Sequence, residues 1–387
     1  MPKVNIVVST TAKFHSFDLA RELLKRGRLS QLYSAYPSRK LRTENIPANL
    51  LTCYPSAYVQ YLVSRRLNCS AAVTRELFFR SQVSFARRVA RSIVPGSAFT
   101  GMSGSSLEPG LRTQEFGFPF ILRRGSTHIE FQDNLLFSEY KRWDLPFIRT
   151  DKRIIERELK EYESADLIAV PSGFSRASFL SKGVPEDKLF STPYGVNLER
   201  FKPAGEAPIQ EFNLAFIGEF SLRKGIPYLL QAFRKLRHPQ KKLTFMGGVD
   251  RDLYRLMNSR GLLSGNIEFL GHVAQQEIPS ELSRAHALVL PSIEDGFGVV
   301  MAQALACGVP VIASSNTGAS DLFEDGVEGF IVPAGDADML TERFETLAQD
   351  QVLLSRMRQA ALARVEFLGG WNTYGNRITE ALNKASN

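Results

Sequence analysis

Glu294 and Asp295 stand side by side immediately before a Gly-Phe-Gly turn, within PSIEDGFGVVMAQALACGVPVIAS, Pro291 to Ser314. Ala287 to Leu290 is a short apolar run closed by Pro291, and Pro310 to Ala313 is another that follows Gly308. The segment reads as strand, turn, small-residue helix and strand, one β-α-β unit of a parallel sheet with its turn at the carboxyl ends of the strands. Gly296 and Gly298 let the backbone come close to a ligand, and a helix beginning near Val299 directs unsatisfied N–H groups at it. An anion, phosphate above all, suits that position. Arg223 and Lys224 follow an apolar strand, Leu214 to Ile217, and precede the next helix. Two cations there would clamp a diphosphate and stabilise charge developing on a leaving group. Plainer roles stay open: the carboxylates as caps of the following helix, and the cations as solvated loop charges.

The elements that must position these groups form two alternating series. The first half predicts strands at Val4 to Val8, Gln31 to Ala35, Phe120 to Arg123, Leu167 to Val170 and Leu189 to Thr192. Helices Phe17 to Lys25, Lys152 to Ser164 and Ser175 to Leu180, with a basic helical region, lie between them. Glu199 to Gln210, with Pro203 and Pro208 and few apolar residues, is the best linker. The second half restarts at Leu214 to Ile217 and continues through helix Pro227 to Leu236, strands Leu243 to Met246 and Ile267 to Leu270, helix Ile278 to Ala285, the β-α-β unit and strand Phe330 to Val332. This is α/β architecture: two doubly wound domains side by side, with a cleft between their strand ends. The expected division is 1–203, 204–368, and a terminal helix, 369–387, set off by Gly369-Gly370. Trp371, Tyr374 and Ile378 recur in it at helical spacing and would bury a stripe on the opposite domain.

At 387 residues and 44% hydrophobic, the chain has material for two ordinary domains. Cys53, Cys69 and Cys307 form no CxxC pair, which argues against a disulfide framework or a thiolate metal site, and cytoplasm is the expected compartment. The apolar start, Met1 to Val8, is too short for a signal-peptide core, and no apolar run approaches a membrane span, so the expectation is a soluble or peripheral protein. No G-x-G-x-x-G follows the first strand, where the sequence is STTAKFH, and no G-x-x-x-x-G-K-[ST] occurs; nicotinamide, flavin and P-loop chemistry are disfavoured. GMSGSS, Gly101 to Ser106, is too loose for a phosphate loop. The formal charge of +8 favours polyanionic partners without choosing among them. On a helical wheel Arg80, Arg87 and Arg91 oppose Phe78, Phe85, Val89 and Ile93, which describes either a helix on an anionic membrane surface or one docked on its own domain.

With GEFSLRKGIPYLLQAF (Gly218 to Phe233), NIEFLGHV, NTGASDLFEDGVEGFIVP, WNTYGNRI and PSGFSRASFLSKGVPEDKLFSTPYGVNLERF added to the Pro291 to Ser314 stretch, most of the chain resembles the retaining nucleotide-sugar glycosyltransferases of family 4. These have the GT-B architecture of two Rossmann-like domains facing across a cleft. In that family two glutamates with seven residues between them flank G-F-G; here Asp295 takes the first position and Gln303 the second. The resemblance implies that Asp295 accepts hydrogen bonds from donor-sugar hydroxyls and that the Gln303 carbonyl oxygen accepts one from a ribose hydroxyl. The family often places arginine directly after the first glycine and lysine five residues later. Lys224 matches the lysine, Glu219 occupies the arginine position, and Arg223 would take over.

His128, in RRGSTH, matches a family histidine that contacts the donor sugar, with a structural or solvent-facing histidine as the alternative. Arg124 would meet acceptor or phosphate. Gly218, Gly296, Phe297, Gly298, Val299 and Gly318 would line the donor site, with Asp321 beside it. The implied mechanism is same-face attack, in which the departing diphosphate accepts the acceptor's proton, with no metal and no cofactor. The resulting expectation is hexose transfer from a UDP- or GDP-sugar to a glycan or lipid-linked acceptor in surface polysaccharide or glycolipid synthesis, at the inner face of the membrane. A non-catalytic nucleotide-sugar or glycan-binding protein of the same fold is the alternative, motivated by Asp295, Gln303 and Glu219. Nucleic acid is not an expected partner.

Overall fold

The computed structural model describes residues 4–13, 15–67 and 69–385. In the first half the strands are β1 Asn5–Thr10, β2 Leu29–Ser34, β3 Leu51–Cys53, β4 Ser97–Met102, β5 Phe120–Arg123, β6 Leu167–Val170 and β7 Leu189–Ser191. The helices between them are α1 Ser16–Lys25, α2 Ser56–Arg66, α3 Ala71–Ser92, α4 Leu107–Glu115, α5 Ile129–Arg142, α6 Lys152–Ser164 and α7 Gly173–Leu180. The second half has β8 Phe212–Ile217, β9 Lys241–Met246, β10 Ile267–Gly271, β11 Ala287–Leu290, β12 Val311–Ser314 and β13 Gly329–Val332. Its helices are α8 Ile226–Lys235, α9 Arg251–Ser259, α10 Ile278–Ser283, α11 Val299–Ala306, α12 Ala319–Leu322, α13 Ala337–Gln349 and α14 Gln351–Leu368, and the chain closes with α15 Trp371–Ala385.

Two parallel sheets result, ordered β3-β2-β1-β4-β5-β6-β7 and β10-β9-β8-β11-β12-β13. Both are doubly wound, and the strand order reverses at β1/β4 in one and at β8/β11 in the other, where ligands enter sheets of this kind. Helices cover both faces, which is why β6, β11 and β12 are buried at every residue and read as unbroken short apolar runs.

β4, SAFTGM, escapes the hydrophobic pattern because Phe99 is flanked by small and polar residues that are buried nonetheless. A Cβ at Gly101 would strike the hydroxyls of Ser9 and Ser106. The glycine-serine loop that follows does cradle an acceptor, but the chain supplies it. The Glu161 carboxyl group, which burial pushes up to about 8, accepts from the N–H groups of Gly104 at 2.6 Å, Ser106 at 2.7 Å and Leu107 at 3.0 Å. The predicted linker is pinned rather than loose: Phe201 is buried, and the Ala204 N–H donates to Ser283 Oγ at 2.9 Å.

The domains meet through polar clasps around an apolar centre. Glu294, whose side chain is fully buried, reaches from the second domain into the first. It accepts from Ser126 Oγ at 2.6 Å, Thr127 N at 3.2 Å, Thr127 Oγ1 at 2.8 Å and Gln132 Nε2 at 2.9 Å. Arg223 Nε, from its own domain, donates to it at 2.7 Å. Ser172 Oγ donates to the Gly296 carbonyl at 2.6 Å, and the Gly173 N–H to Asp321 at 2.9 Å. A Cβ at Gly296 would collide with the Gly125 carbonyl and Ser126 Cα, so a residue expected to line the ligand site instead permits the domains to touch.

α15 packs on α1, where Arg26 donates to the Asn372 carbonyl at 2.8 Å and to Asn376 Oδ1. Tyr374 and Ile378 are buried in it, and Tyr194 bridges Tyr374 to the edge of Phe297, joining the two cores.

Burial alone would raise the Glu294 carboxyl, but the Arg223 charge and the hydrogen bonds outweigh it and hold the group down to about 2. Its contribution to stability is therefore complete above the ordinary glutamate range and is lost as pH falls from about 4.5 towards 2, with roughly 3 kcal/mol at stake. Glu294→Gln should be less stable than wild type at neutral pH by urea denaturation, and the gap should close through that window. A gap independent of pH would show that the charge does not hold the domains.

Candidate functional site

A cavity of about 870 Å³ lies between the domains, lined by loops that follow β1, β4, β5, β8 and β11. Both strand-order reversals open into it. Three loops of the second domain form its floor and brace one another. Ile293 N donates to the Arg223 carbonyl at 2.9 Å, Asp295 N to the Asn316 carbonyl at 3.0 Å, and Asn316 Nδ2 to the Ile293 carbonyl at 2.9 Å. Gly225, at φ +70°, abuts the Pro291 carbonyl, where any side chain would collide.

On that floor the two adjacent carboxylates part company. Glu294 turns into the domain interface, whereas Asp295 lines the cavity and is ion-paired to Lys224. Burial pushes Asp295 up, and the charges of Lys224 and Arg223 bring it below the usual aspartate range, so it is ionised at neutral pH. α11 begins beside the pair with Gly298 at its N-cap, at φ +77°, and no side chain caps it. Val299 and Val300 of its first turn line the cavity. Lysine, arginine and an uncapped helix start thus converge where a diphosphate would be held, and Asp295 is placed to accept from hydroxyl groups of whatever the diphosphate carries.

Gly218, Arg223, Lys224, Asp295, Phe297, Gly298 and Val299 all line this cavity. Gly318 stands behind it, donating its N–H to the Phe297 carbonyl at 3.0 Å beneath the Phe297 ring. Gln303 lies one turn into α11, half-buried and outside the lining.

His128 is also outside the lining. It is the N-cap of α5, its Nδ1 accepting from the Glu130 N–H at 3.3 Å, and its ring is packed against Tyr162 and Phe179. Burial, with help from Arg124 and Lys182, pulls it down to about 4. The cavity's histidine is His15, four residues beyond Thr11 in the loop after β1. Its ring lies 3.9 Å from that of Tyr194 and stacks at 5.3 Å on Trp371. Burial and the Arg123 charge lower it to about 4 against the pull of Asp295, so the imidazole is neutral at pH 7. Its one signal in the sequence was position: STTAKFH directly follows the first strand, at the carboxyl end.

Arg124 lines the cavity too, but it is committed. It donates to the Thr127 carbonyl at 3.0 Å, Ser103 Oγ at 3.1 Å and Gln132 Oε1 at 3.0 Å, and pairs with Glu158 at 2.9 Å. It organises the first-domain wall. The chain's Asp-x-Asp triplets lie outside the cavity lining: Asp250 and Asp336 each cap a helix by accepting from the backbone N–H groups two and three residues on.

Known proteins resemble the chain in sequence and in fold. Residues 199–364 match the family model of glycosyl transferases group 1. Over 248 residues the chain is 29% identical to O-antigen chain mannosyltransferase B of Escherichia coli, covering 60% of this chain and 63% of that protein. Over 258 residues it is 28% identical to a GDP-mannose-dependent phosphatidylinositol monomannoside mannosyltransferase of Mycolicibacterium smegmatis, covering 62% and 66% respectively. The chain thus spans a little under two thirds of the length of these relatives. Among solved structures, the sucrose-phosphate synthase of Thermosynechococcus elongatus superimposes with TM-score 0.74 at 20% identity, covering 98% of both chains. HepE of Anabaena in complex with UDP superimposes with TM-score 0.71 at 17% identity, covering 98% of this chain and 99% of that one. The protein has the GT-B fold, and its residues 199–364 match the model of the glycosyl transferases group 1.

Proposed function

We propose that the protein is a retaining, metal-independent glycosyltransferase that moves a hexose from a UDP- or GDP-sugar to a glycan or lipid-linked acceptor. The observation that carries this reading is the Lys224–Asp295 pair beside the uncapped start of α11, inside a cleft where both sheets reverse their strand order. The relatives add support, one named as GDP-mannose-dependent and one solved with UDP.

In this reading Lys224, Arg223 and the first N–H groups of α11 hold the diphosphate, and Asp295 accepts from the sugar hydroxyls. A new bond forms from the acceptor oxygen to the anomeric carbon on the face the diphosphate leaves. The old carbon–oxygen bond breaks, and the acceptor's proton passes to a diphosphate oxygen. The protein contributes position and fixed charge. His15 takes the part expected of His128: a neutral imidazole beside Asp295, able to donate one hydrogen bond to the reacting sugar.

Lys224→Ala and Arg223→Ala should each weaken UDP or GDP binding by about 1–3 kcal/mol in calorimetry, since each removes a charged donor to the diphosphate. Unchanged affinity in both would remove the clamp.

Asp295→Asn should reduce turnover far more than it weakens the bare nucleoside diphosphate, which has no sugar hydroxyls to offer. Equal losses in the two assays would place Asp295 outside the sugar site.

His15→Asn should lower turnover roughly tenfold or more. His128→Asn keeps an N-cap acceptor and should stay within about twofold of wild type. The reverse ranking would restore His128 to the site.

A further inference from the structure

A single amide interrupts the apolar stripe of α3. Phe78, Gln82, Phe85 and Val89 follow one another at helical spacing, and Gln82 is the polar member. Phe85 and Val89 are fully buried in the first-domain core, with Ile93 buried just past the helix end, so this helix is docked on its own domain. Its basic side is partly spent within the protein, since Arg80 pairs with Glu76 at 2.6 Å and Arg87 approaches Glu108 at 4.0 Å. Among the described residues no helix is long and apolar enough to cross a membrane.

Gln82 is only 4% exposed and lines the interdomain cavity, yet its side-chain amide makes no hydrogen bond among the described residues. An amide buried without a partner destabilises a fold, and an apolar side chain of the same length would complete the stripe without that cost. The amide has a polar neighbour across the glycine-serine loop. Gln82 Oε1 and Glu158 Oε1 converge over Gly104, where the Cβ this glycine lacks would lie 3.9 Å from the first and 3.7 Å from the second. Gly104 and Glu158 line the cavity as well. Tyr162 Oη and Arg124 Nη1 meet Glu158 Oε2 at 2.7 Å and 2.9 Å, whereas Oε1 has only Arg124 Nη1 at 3.2 Å and keeps a lone pair to offer. The Arg124 guanidinium balances the Glu158 charge, so the two side-chain ends present hydrogen-bonding groups to the cavity without a net charge.

We infer that Gln82 and Glu158 read the acceptor by binding adjacent hydroxyl groups of a neutral sugar ring. Glu158 Oε1 accepts from one hydroxyl, and the Gln82 amide, both donor and acceptor, meets the next, which is also both. Phe78, four residues before Gln82 on the same face of α3 and also in the cavity lining, offers an apolar surface to the C–H side of the ring. The proposal rests on the transferase reading for calling this sugar the acceptor, while the hydroxyl site itself stands on Gln82, Gly104 and Glu158.

The test uses the full chain with UDP and GDP both present at saturation, and follows methyl α-glucopyranoside, methyl α-galactopyranoside and methyl α-mannopyranoside by ligand-observed NMR. Wild type should bind at least one of the three sugars, and Gln82→Met, which keeps the side-chain length and removes the amide, should bind it roughly tenfold or more weakly. UDP and GDP affinities of Gln82→Met, read by calorimetry, should match wild type and show that the variant folds. Its melting temperature without sugar should equal or exceed that of wild type, because no hydrogen bond within the protein is lost. An amide with a merely structural role would instead lower the melting temperature. Wild type binding none of the three sugars, Gln82→Met binding them as tightly as wild type, or a lowered melting temperature would each overturn the inference. Failure of wild type to bind either nucleotide would count against the transferase reading instead.

Discussion

A carboxylate with no solvent contact costs several kcal/mol unless its charge and lone pairs are met, and Glu294 is met by five donors. Four of the five come from Ser126, Thr127 and Gln132 of the first domain, so the group is satisfied only when the domains stand at one separation. Everything in the cleft depends on that separation. Asp295 is the next residue along, and holding Glu294 in the interface leaves Asp295 facing the cavity with Lys224. Arg223 ties the two roles together, since it holds Glu294 with Nε and also lines the cavity. The bare Gly125 and Gly296 let the backbones meet at the same point, and Tyr194 closes the apolar side by touching Phe297, Tyr374 and His15.

Much of this was legible in the sequence where one force dominates. Central parallel strands are buried on both faces, so LIAV and ALVL show as unbroken apolar runs, and β6 and β11 fall where those runs do. The cavity floor was legible too, in that Gly298, Lys224 and Asp295 do line it, because glycine's backbone freedom and formal charge are revealed directly by residue type. β4 was not, since Phe99 is flanked by small and polar residues, Ala98, Thr100 and Gly101, which are buried without forming an apolar run. Nor could adjacency in sequence tell which of two neighbouring carboxylates faces the cavity and which faces the other domain.

The histidines show the same limit. His128 lies near the end of a strand and carries the expected residue type, yet its ring is occupied by a cap and two aromatic neighbours. His15 reaches the cavity on the loop after β1, and the segment after β7 and the returning α15 bring Tyr194 and Trp371 around it, a meeting of segments hundreds of residues apart. The glycine-serine loop after β4 is a comparable case. Its N–H groups do close on an acceptor, and the carboxyl group of Glu161 is that acceptor.

The most direct measurement is electron density in crystals of the full chain soaked with a nucleoside diphosphate. With the floor as described, the diphosphate should lie within hydrogen-bond distance of Lys224 Nζ and the N–H groups of Val299 and Val300, with its open end towards Asp295 and His15. A diphosphate bound elsewhere, or one that leaves the Lys224–Asp295 pair and the start of α11 untouched, would contradict the assignment of this cleft as the donor site.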